Sequence, residues 1–220
     1  MNSPRVAAIV PAFNEEATIA SVVRVLTASK HIDEVLVVSD GSTDQTVARA
    51  KEAGATVFDL EQNGGKGNAI LHGLSQTSAE VILLADADLR GFSPEHIEQL
   101  VAPVISDERK MNVALRDRGA IVNLVSPHLP RIAGERALRR EILEHIPPQY
   151  LQGYMIESAL NFYCRSHRLP YGSVLLKGLS IRHKYEKVGW TKAFKQYCHM
   201  SFQVVKAMIA VRLAAMRGNF

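Results

Sequence analysis

The chain is poor in cysteine, poor in aromatic side chains and free of long apolar runs. Cys164 and Cys198 are the only cysteines in 220 residues, so no disulfide framework is available and a reducing compartment is expected. Both are expected to be buried, inert thiols. No stretch offers about 20 uninterrupted apolar residues, which excludes a spanning helix from the sequence reading. The early run Val6-Ala7-Ala8-Ile9-Val10 is too short for a signal-peptide core and meets Pro11 at once, so a cytoplasmic protein is expected. Repeats and low-complexity linkers are missing, and the length suits one well-filled α/β domain and not two. A broad basic face is missing too. The net charge is +4, but residues 184–220 hold seven Lys/Arg and one acid, a local +6 that leaves −2 for the rest. The pI of about 9.1 is therefore a property of the tail, and no nucleic-acid partner is expected.

What is present is an alternation of apolar runs and helical spacings. Strands are predicted over Arg5–Val10, Glu34–Ser39, Thr56–Leu60 and Glu80–Ala85. Helices are predicted over Glu15–Ala28, Thr43–Ala53, Lys66–Gln76 and Pro94–Ile105, the last with Ser93 as cap and Pro in its first turn. This β-α-β-α order implies a parallel sheet with right-handed crossovers. Further on, Met111–Leu115 reads as a strand, residues 116–131 as an irregular connection, Arg136–His145 and Ile156–His167 as helices, and Val174–Leu176 as a late strand.

Four segments carry chemistry. Val81-Ile82-Leu83-Leu84-Ala85 runs directly into Asp86-Ala87-Asp88. Continued as a strand, it would put both carboxylates on one side where the strand leaves the sheet, and two carboxylates there can hold a hard divalent cation and through it a diphosphate. Pro11-Ala12-Phe13-Asn14-Glu15-Glu16 and Asp40-Gly41-Ser42-Thr43-Asp44 follow the first two strands. Their polar groups can meet a ribose or a base, or simply cap the helices that follow. Asn63-Gly64-Gly65-Lys66-Gly67-Asn68 opens a helix with little steric bulk and one cation, features that favour a phosphate. Its spacing does not match a P-loop, so an ordinary NTPase is excluded.

In this order the four segments resemble the nucleotide-sugar half of GT-A glycosyltransferases of family 2. The resemblance implies a three-layer α/β/α sandwich over residues 1–189, an NDP-sugar donor of the UDP-glucose or GDP-mannose type, and Mg²⁺ or Mn²⁺. It implies nucleoside contacts from Ala12, Glu15 and Asp40, with Pro11, Phe13, Gly65, Asp86 and Ala87 around the donor and Lys66 near base or phosphate. Asp88 is implied as metal ligand, with Asp86 contributing. Residues 86–103, 129–143, 153–160 and 179–183 further resemble the glucosyl-3-phosphoglycerate synthases, and more loosely the dolichyl-phosphate mannose synthases. That resemblance places Glu157 and Tyr154 beside the acceptor and His183 in the metal shell. A small phosphorylated or polyprenyl-phosphate acceptor follows, although segment 107–128 is shorter than in the phosphoglycerate enzymes. Both inversion and retention of the anomeric centre stay open, as do a nucleotidyltransferase and a non-catalytic nucleotide-sugar-binding protein.

Two regions are read from the residues themselves. Gly134-Glu135-Arg136 and Arg139-Arg140 are candidates to cradle an acceptor phosphate, chiefly through Gly134, Arg136 and Arg139, since Arg pairs bidentately with phosphate. Arg139 and Arg140 could equally form a solvated helix face. Residues 190–220 read as a basic amphipathic helix whose polar stripe runs through Gln203, Lys206, Ala210 and Arg217. Such a helix suits a membrane surface, a second copy in a homo-oligomer, or packing on its own domain.

Overall fold

The structure is a computed structural model that describes residues 3–116, 134–151 and 155–181, together with residue 209. The C-terminal segment predicted as a helical extension otherwise lies outside the described residues. Among the described residues no helix is long and apolar enough to cross a membrane.

Strand β1 (Val6–Ala12) runs through the middle of a seven-stranded sheet, buried at every position but Pro11. Its even residues Val6, Ala8, Val10 and Ala12 face one core, while Ala7 and Ile9 face the other. That two-sided burial is why the run is apolar without alternation. Parallel partners flank it: β2 (Glu34–Asp40), then β3 (Thr56–Leu60) on one side, and β4 (Val81–Leu84) on the other. Helices α1 (Ile19–Thr27), α2 (Thr46–Glu52) and α4 (Pro94–Ile105) cover one face. Helix α3 (Lys66–Ser75), α5 (Arg140–His145) and α6 (Met155–Ser166) cover the other. The three layers expected from the sequence are therefore present.

The far half of the sheet differs from the expectation. The order is β3-β2-β1-β4-β7-β6-β8, with β6 (Met111–Arg116) and β8 (Tyr171–Leu176) parallel to each other. Strand β7 (Arg136–Arg139) lies antiparallel between β4 and β6. The helix predicted over Arg136–His145 is thus corrected: its first four residues are strand, and only Arg140–His145 is helical. Local propensity loses here to hydrogen bonding, because β4 and β6 each present an edge that β7 fills. Ala137 and Leu138 then bury completely on opposite faces.

A second correction concerns the two carboxylates. Strand β4 stops at Leu84, residues 85–86 are irregular and residues 87–88 form a turn, so Asp86 and Asp88 do not share the face of a continuing strand. The chain then enters β5 (Leu89–Arg90), which pairs antiparallel with β9 (Ser180–Ile181) in a separate small sheet. Helix α4 forms as predicted. Pro94 occupies its first turn and the Ser93 hydroxyl accepts the His96 amide N–H at 3.4 Å.

Candidate active site

The loops that leave β1 and β2 are bound to each other before anything binds to them. Asn14 adopts a left-handed backbone with φ of 55°, a conformation Asn tolerates better than most residues. Its amide donates to Ser42 Oγ at 3.1 Å, and its Oδ1 accepts the Thr43 amide at 2.8 Å. The Glu15 amide donates to Thr46 Oγ1 at 2.8 Å, and Glu16 Oε2 accepts the Gln45 amide at 3.1 Å. Asn14 therefore joins two loops and does not cap its own helix. Phe13 stands out from this seam at 48% exposure.

Asp40 ends β2 and is nearly inaccessible. Its Oδ1 accepts the amide of Gly64 and its Oδ2 that of Gly65, each at 2.8 Å. The carboxylate thus anchors the glycine loop, not the helix that follows β2. Gly65 sits at φ of 86° as the N-terminal cap of α3, and the space where a side chain would stand is open. Only glycine takes this conformation without strain, and no side-chain cap closes the amino end of α3.

The charged centre lies beside it. Lys66 Nζ is 2.6 Å from Asp86 Oδ1 and 3.9 Å from Glu157 Oε1. Burial would push the Lys66 ammonium down, but the carboxylates of Asp86, Glu157 and Glu135 outweigh it and hold the group above its ordinary value. Gly134 closes over the pair: a Cβ there would come within 2.6 Å of Asp86 Oδ2 and 2.7 Å of Lys66 Nζ. Glu157, in the first turn of α6, is buried, and its Oε2 accepts no hydrogen bond among the described residues.

Beneath this group lies Arg136, 1% exposed. Burial pushes its guanidinium down, and Glu157 leads the charges that oppose this, with Glu135 and Asp86. A buried cation needs such countercharges. Two cations and three carboxylates thus share one end of β4 and β7.

Most residues singled out from sequence converge here: Pro11, Ala12 and Asp40 end β1 and β2, Phe13, Glu15, Asp86, Ala87 and Asp88 follow the carboxyl ends of β1 and β4, and Gly65 and Lys66 open α3. Gly134 and Glu157 join them through Lys66. Arg139 does not. Its backbone pairs with Val81 at the amino end of β4, and its guanidinium binds Asp107 Oδ1 at 2.9 Å. Arg136 and Arg139 stand at opposite ends of β7, beside Leu84 and Val81 of β4, so the expected phosphate cradle is corrected. Arg136 reaches the site from below as a countercharge. Tyr154 and His183 lie outside the described residues. Ile181, the described residue nearest before His183, pairs with Leu89, which directly follows Asp88.

Sequence reasoning took Glu135 only as part of the Gly134-Glu135-Arg136 cradle and gave its own carboxylate no role, yet it is fully buried and acts on both Lys66 and Arg136. Its signal was there, an acid next to an arginine at the head of a buried strand. Hard oxygen donors at residues 86–88 suit a cation that keeps water or phosphate in its remaining positions, as Mg²⁺ and Mn²⁺ do. Among the described residues no group of three or more His, Cys, Asp or Glu is placed to form a complete cage.

The family model "Glycosyl transferase family 2" matches residues 7–169. The chain belongs to glycosyl transferase family 2. Among curated family relatives, the glucosyl-3-phosphoglycerate synthase of Mycobacterium tuberculosis is 30% identical over 193 residues, covering 70% of this chain and 59% of the relative. The chain thus spans under two thirds of that enzyme's length. An undecaprenyl-phosphate 4-deoxy-4-formamido-L-arabinose transferase of Salmonella paratyphi A is 26% identical, covering 98% of this chain and 71% of the relative. A solved structure of the M. tuberculosis synthase with Mn²⁺, UDP-glucose and phosphoglyceric acid superposes with a TM-score of 0.76 at 27% identity. It covers 94% of this chain and 79% of that one. The family's GT-A architecture is the one described above.

Proposed function

We propose that this chain transfers a hexosyl group from an NDP-sugar to a small phosphorylated acceptor, with a divalent cation at Asp88. The observation that carries this reading is the Lys66–Asp86 pair, 2.6 Å apart under Gly134 and beside the open amino end of α3. A cation beside the amino end of a helix supports a diphosphate subsite there. Asp40 holds that end in place through Gly64 and Gly65. Pro11, Ala12, Phe13 and Glu15 form the nucleoside wall. Asp88, with Asp86 and His183 contributing, would hold Mg²⁺ or Mn²⁺. When bound, such an ion neutralises charge on the departing diphosphate. Lys66 adds a second positive charge on the same side, where charge develops as the glycosidic bond breaks. Glu157 offers a buried oxygen without a hydrogen-bond donor among the described residues, suited to orienting the acceptor hydroxyl. Tyr154 and Gly134 complete the acceptor side.

The relatives support UDP-glucose and a phosphoglycerate-type acceptor. A second reading, a polyprenyl-phosphate acceptor, is favoured by the undecaprenyl-phosphate transferase that matches 98% of this chain. In that reading residues 190–220 provide peripheral membrane contact, and in the first they are free to pack on a second subunit.

The test is a thermal-shift panel of UDP-, GDP- and ADP-sugars with Mg²⁺, Mn²⁺ or EDTA, followed by assay of nucleoside diphosphate release. A ligand bound only to the folded state raises apparent stability by mass action. The expected result is a shift with a UDP-sugar that disappears in EDTA, and UDP release that depends on 3-phosphoglycerate. Release that depends on polyprenyl phosphate instead would select the second reading. Pyrophosphate release would mark a nucleotidyltransferase, and binding without release a non-catalytic protein.

A further inference from the structure

The small sheet beside Asp88 is too short to hold itself. Strands β5 and β9 share two residue pairs, Leu89 with Ile181 and Arg90 with Ser180, and an isolated two-stranded ladder is marginal even when longer. Yet β5 begins at the residue after Asp88, so the direction of that carboxylate depends on this ladder. Two contacts from outside it supply what it lacks. The first comes from helix α4, where His96 Nε2 lies 2.9 Å from the carbonyl oxygen of Lys177, 81 residues away, in the turn between β8 and β9. A carbonyl only accepts, so Nε2 carries the hydrogen. The His96 ring is buried and packs 6.2 Å from that of Phe92, which follows β5. The second contact is backbone on backbone. Gly91 takes a φ of 71°, and a Cβ there would stand 2.3 Å from the carbonyl oxygen of Gly178. The turn after β5 and the turn before β9 therefore lie directly against each other.

We propose that His96 is a positioning residue for the cation-binding turn. By holding the Lys177 carbonyl it fixes the β8–β9 turn, the Gly91–Gly178 contact passes that constraint to β5, and β5 fixes Asp88. His96 touches neither donor nor acceptor in this scheme, and the inference rests on the reading of Asp88 as cation ligand. Groups that orient ligands from behind are worth about 10- to 100-fold in metal affinity.

The experiment compares the full chain with His96→Phe, His96→Gln and Asp88→Asn. Phe keeps the ring against Phe92 and deletes the donor, whereas Gln restores an N–H of similar reach. Mn²⁺ alone is titrated by electron paramagnetic resonance, and amide exchange is followed in residues 89–90 and 180–181. His96→Phe is expected to weaken Mn²⁺ binding about tenfold or more and to speed exchange in the ladder, but not in β1 or β4. His96→Gln is expected to recover both. Asp88→Asn is expected to lose Mn²⁺ with ladder exchange unchanged. If Asp88→Asn loses Mn²⁺ but His96→Phe binds it normally, the proposal falls and the cation site stands. Retention of Mn²⁺ by Asp88→Asn overturns both. Exchange that rises equally in β1 and β4 would mark a loss of global stability and also overturns the proposal.

Discussion

Lys66 and Asp86 form a close charged contact in the site, Nζ to Oδ1 at 2.6 Å, and each is about a quarter to a third exposed. The lysine occupies one oxygen of a carboxylate that a divalent cation would also attract. Metal and diphosphate should therefore respond in opposite directions when the ammonium is removed. In Lys66→Met, Mn²⁺ alone is expected to bind several-fold tighter, because one unit charge near a divalent ion is worth about 1 kcal/mol even in a high dielectric. UDP binding in the presence of Mn²⁺ is expected to weaken about tenfold or more, since a charge-assisted contact to phosphate is lost. Calorimetric titration of metal and of nucleotide separately checks both signs. Weaker binding of Mn²⁺ alone would show that the lysine supports the cation site and does not compete with it.

Gly134 bears on the same pair through space. An added methyl would meet Asp86 and Lys66 only at their side-chain tips, which can move. Gly134→Ala should therefore cost under about 1 kcal/mol of stability, as when a flexible neighbour yields. It should also push the two charges apart and weaken Mn²⁺–UDP binding about tenfold, an effect of about 1.4 kcal/mol. Urea unfolding and nucleotide titration on one preparation separate the two effects. A large stability loss with normal binding would place the glycine in the fold and not in the site.

The near half of the molecule was legible because β1, β2 and β4 are buried nearly throughout, β3 is a β-branched run at the edge, and the helices carry their own spacing. Thr56–Leu60 and Pro94–Ile105 form as expected. The far half was less legible because its order is set by partners distant in sequence. Arg136-Ala137-Leu138-Arg139 has no strand signature of its own, and becomes a strand because β4 and β6 leave a gap it fills. The site shows the same division. Asp40, Asp86 and Asp88 stand out as residue types at or just beyond strand ends, and Lys66 at a helix start. That Asp40 spends both oxygens on Gly64 and Gly65, and that Arg139 stands at the far end of β7 from the site, depends on register, which no local pattern carries.

Gly73 tests the fold apart from the site. It lies in α3 against the sheet, where a Cβ would come within 2.7 Å of an Ile9 methyl and 3.3 Å of Val38. Alanine gains about 1 kcal/mol of helix propensity over glycine, but forcing a methyl against β-branched side chains in a packed core costs about 1–3 kcal/mol. Gly73→Ala is therefore expected to lose about 1 kcal/mol net in urea unfolding, with an unchanged denaturant slope. An increase in stability would show that α3 can shift outward at no cost.

Cys164 supplies a prediction in pH. It lies on α6, and burial pushes its thiol from an ordinary 9.0 up to about 12, against the opposing charge of Arg136. Below pH 9 the thiol is protonated in both folded and unfolded chains, and its contribution to stability is fully present. Between pH 9 and about 12 the unfolded chain releases a proton that the folded chain keeps, so stability falls as pH rises, by about 1.4 kcal/mol per pH unit at most. Cys164→Ala lacks this dependence. It also opens a small cavity, whose cost does not vary with pH. The stability gap between the parent chain and Cys164→Ala should be constant from pH 7 to about 8.5 and should narrow by about 1 kcal/mol near pH 10. Urea unfolding at several pH values measures that gap. Peptide mapping after alkylation should find Cys164 unmodified in the native state and modified once the chain unfolds. A gap that stays constant through pH 10 would mean that the thiol ionises as readily in the folded chain as in the unfolded one, and that Arg136 fully offsets the burial.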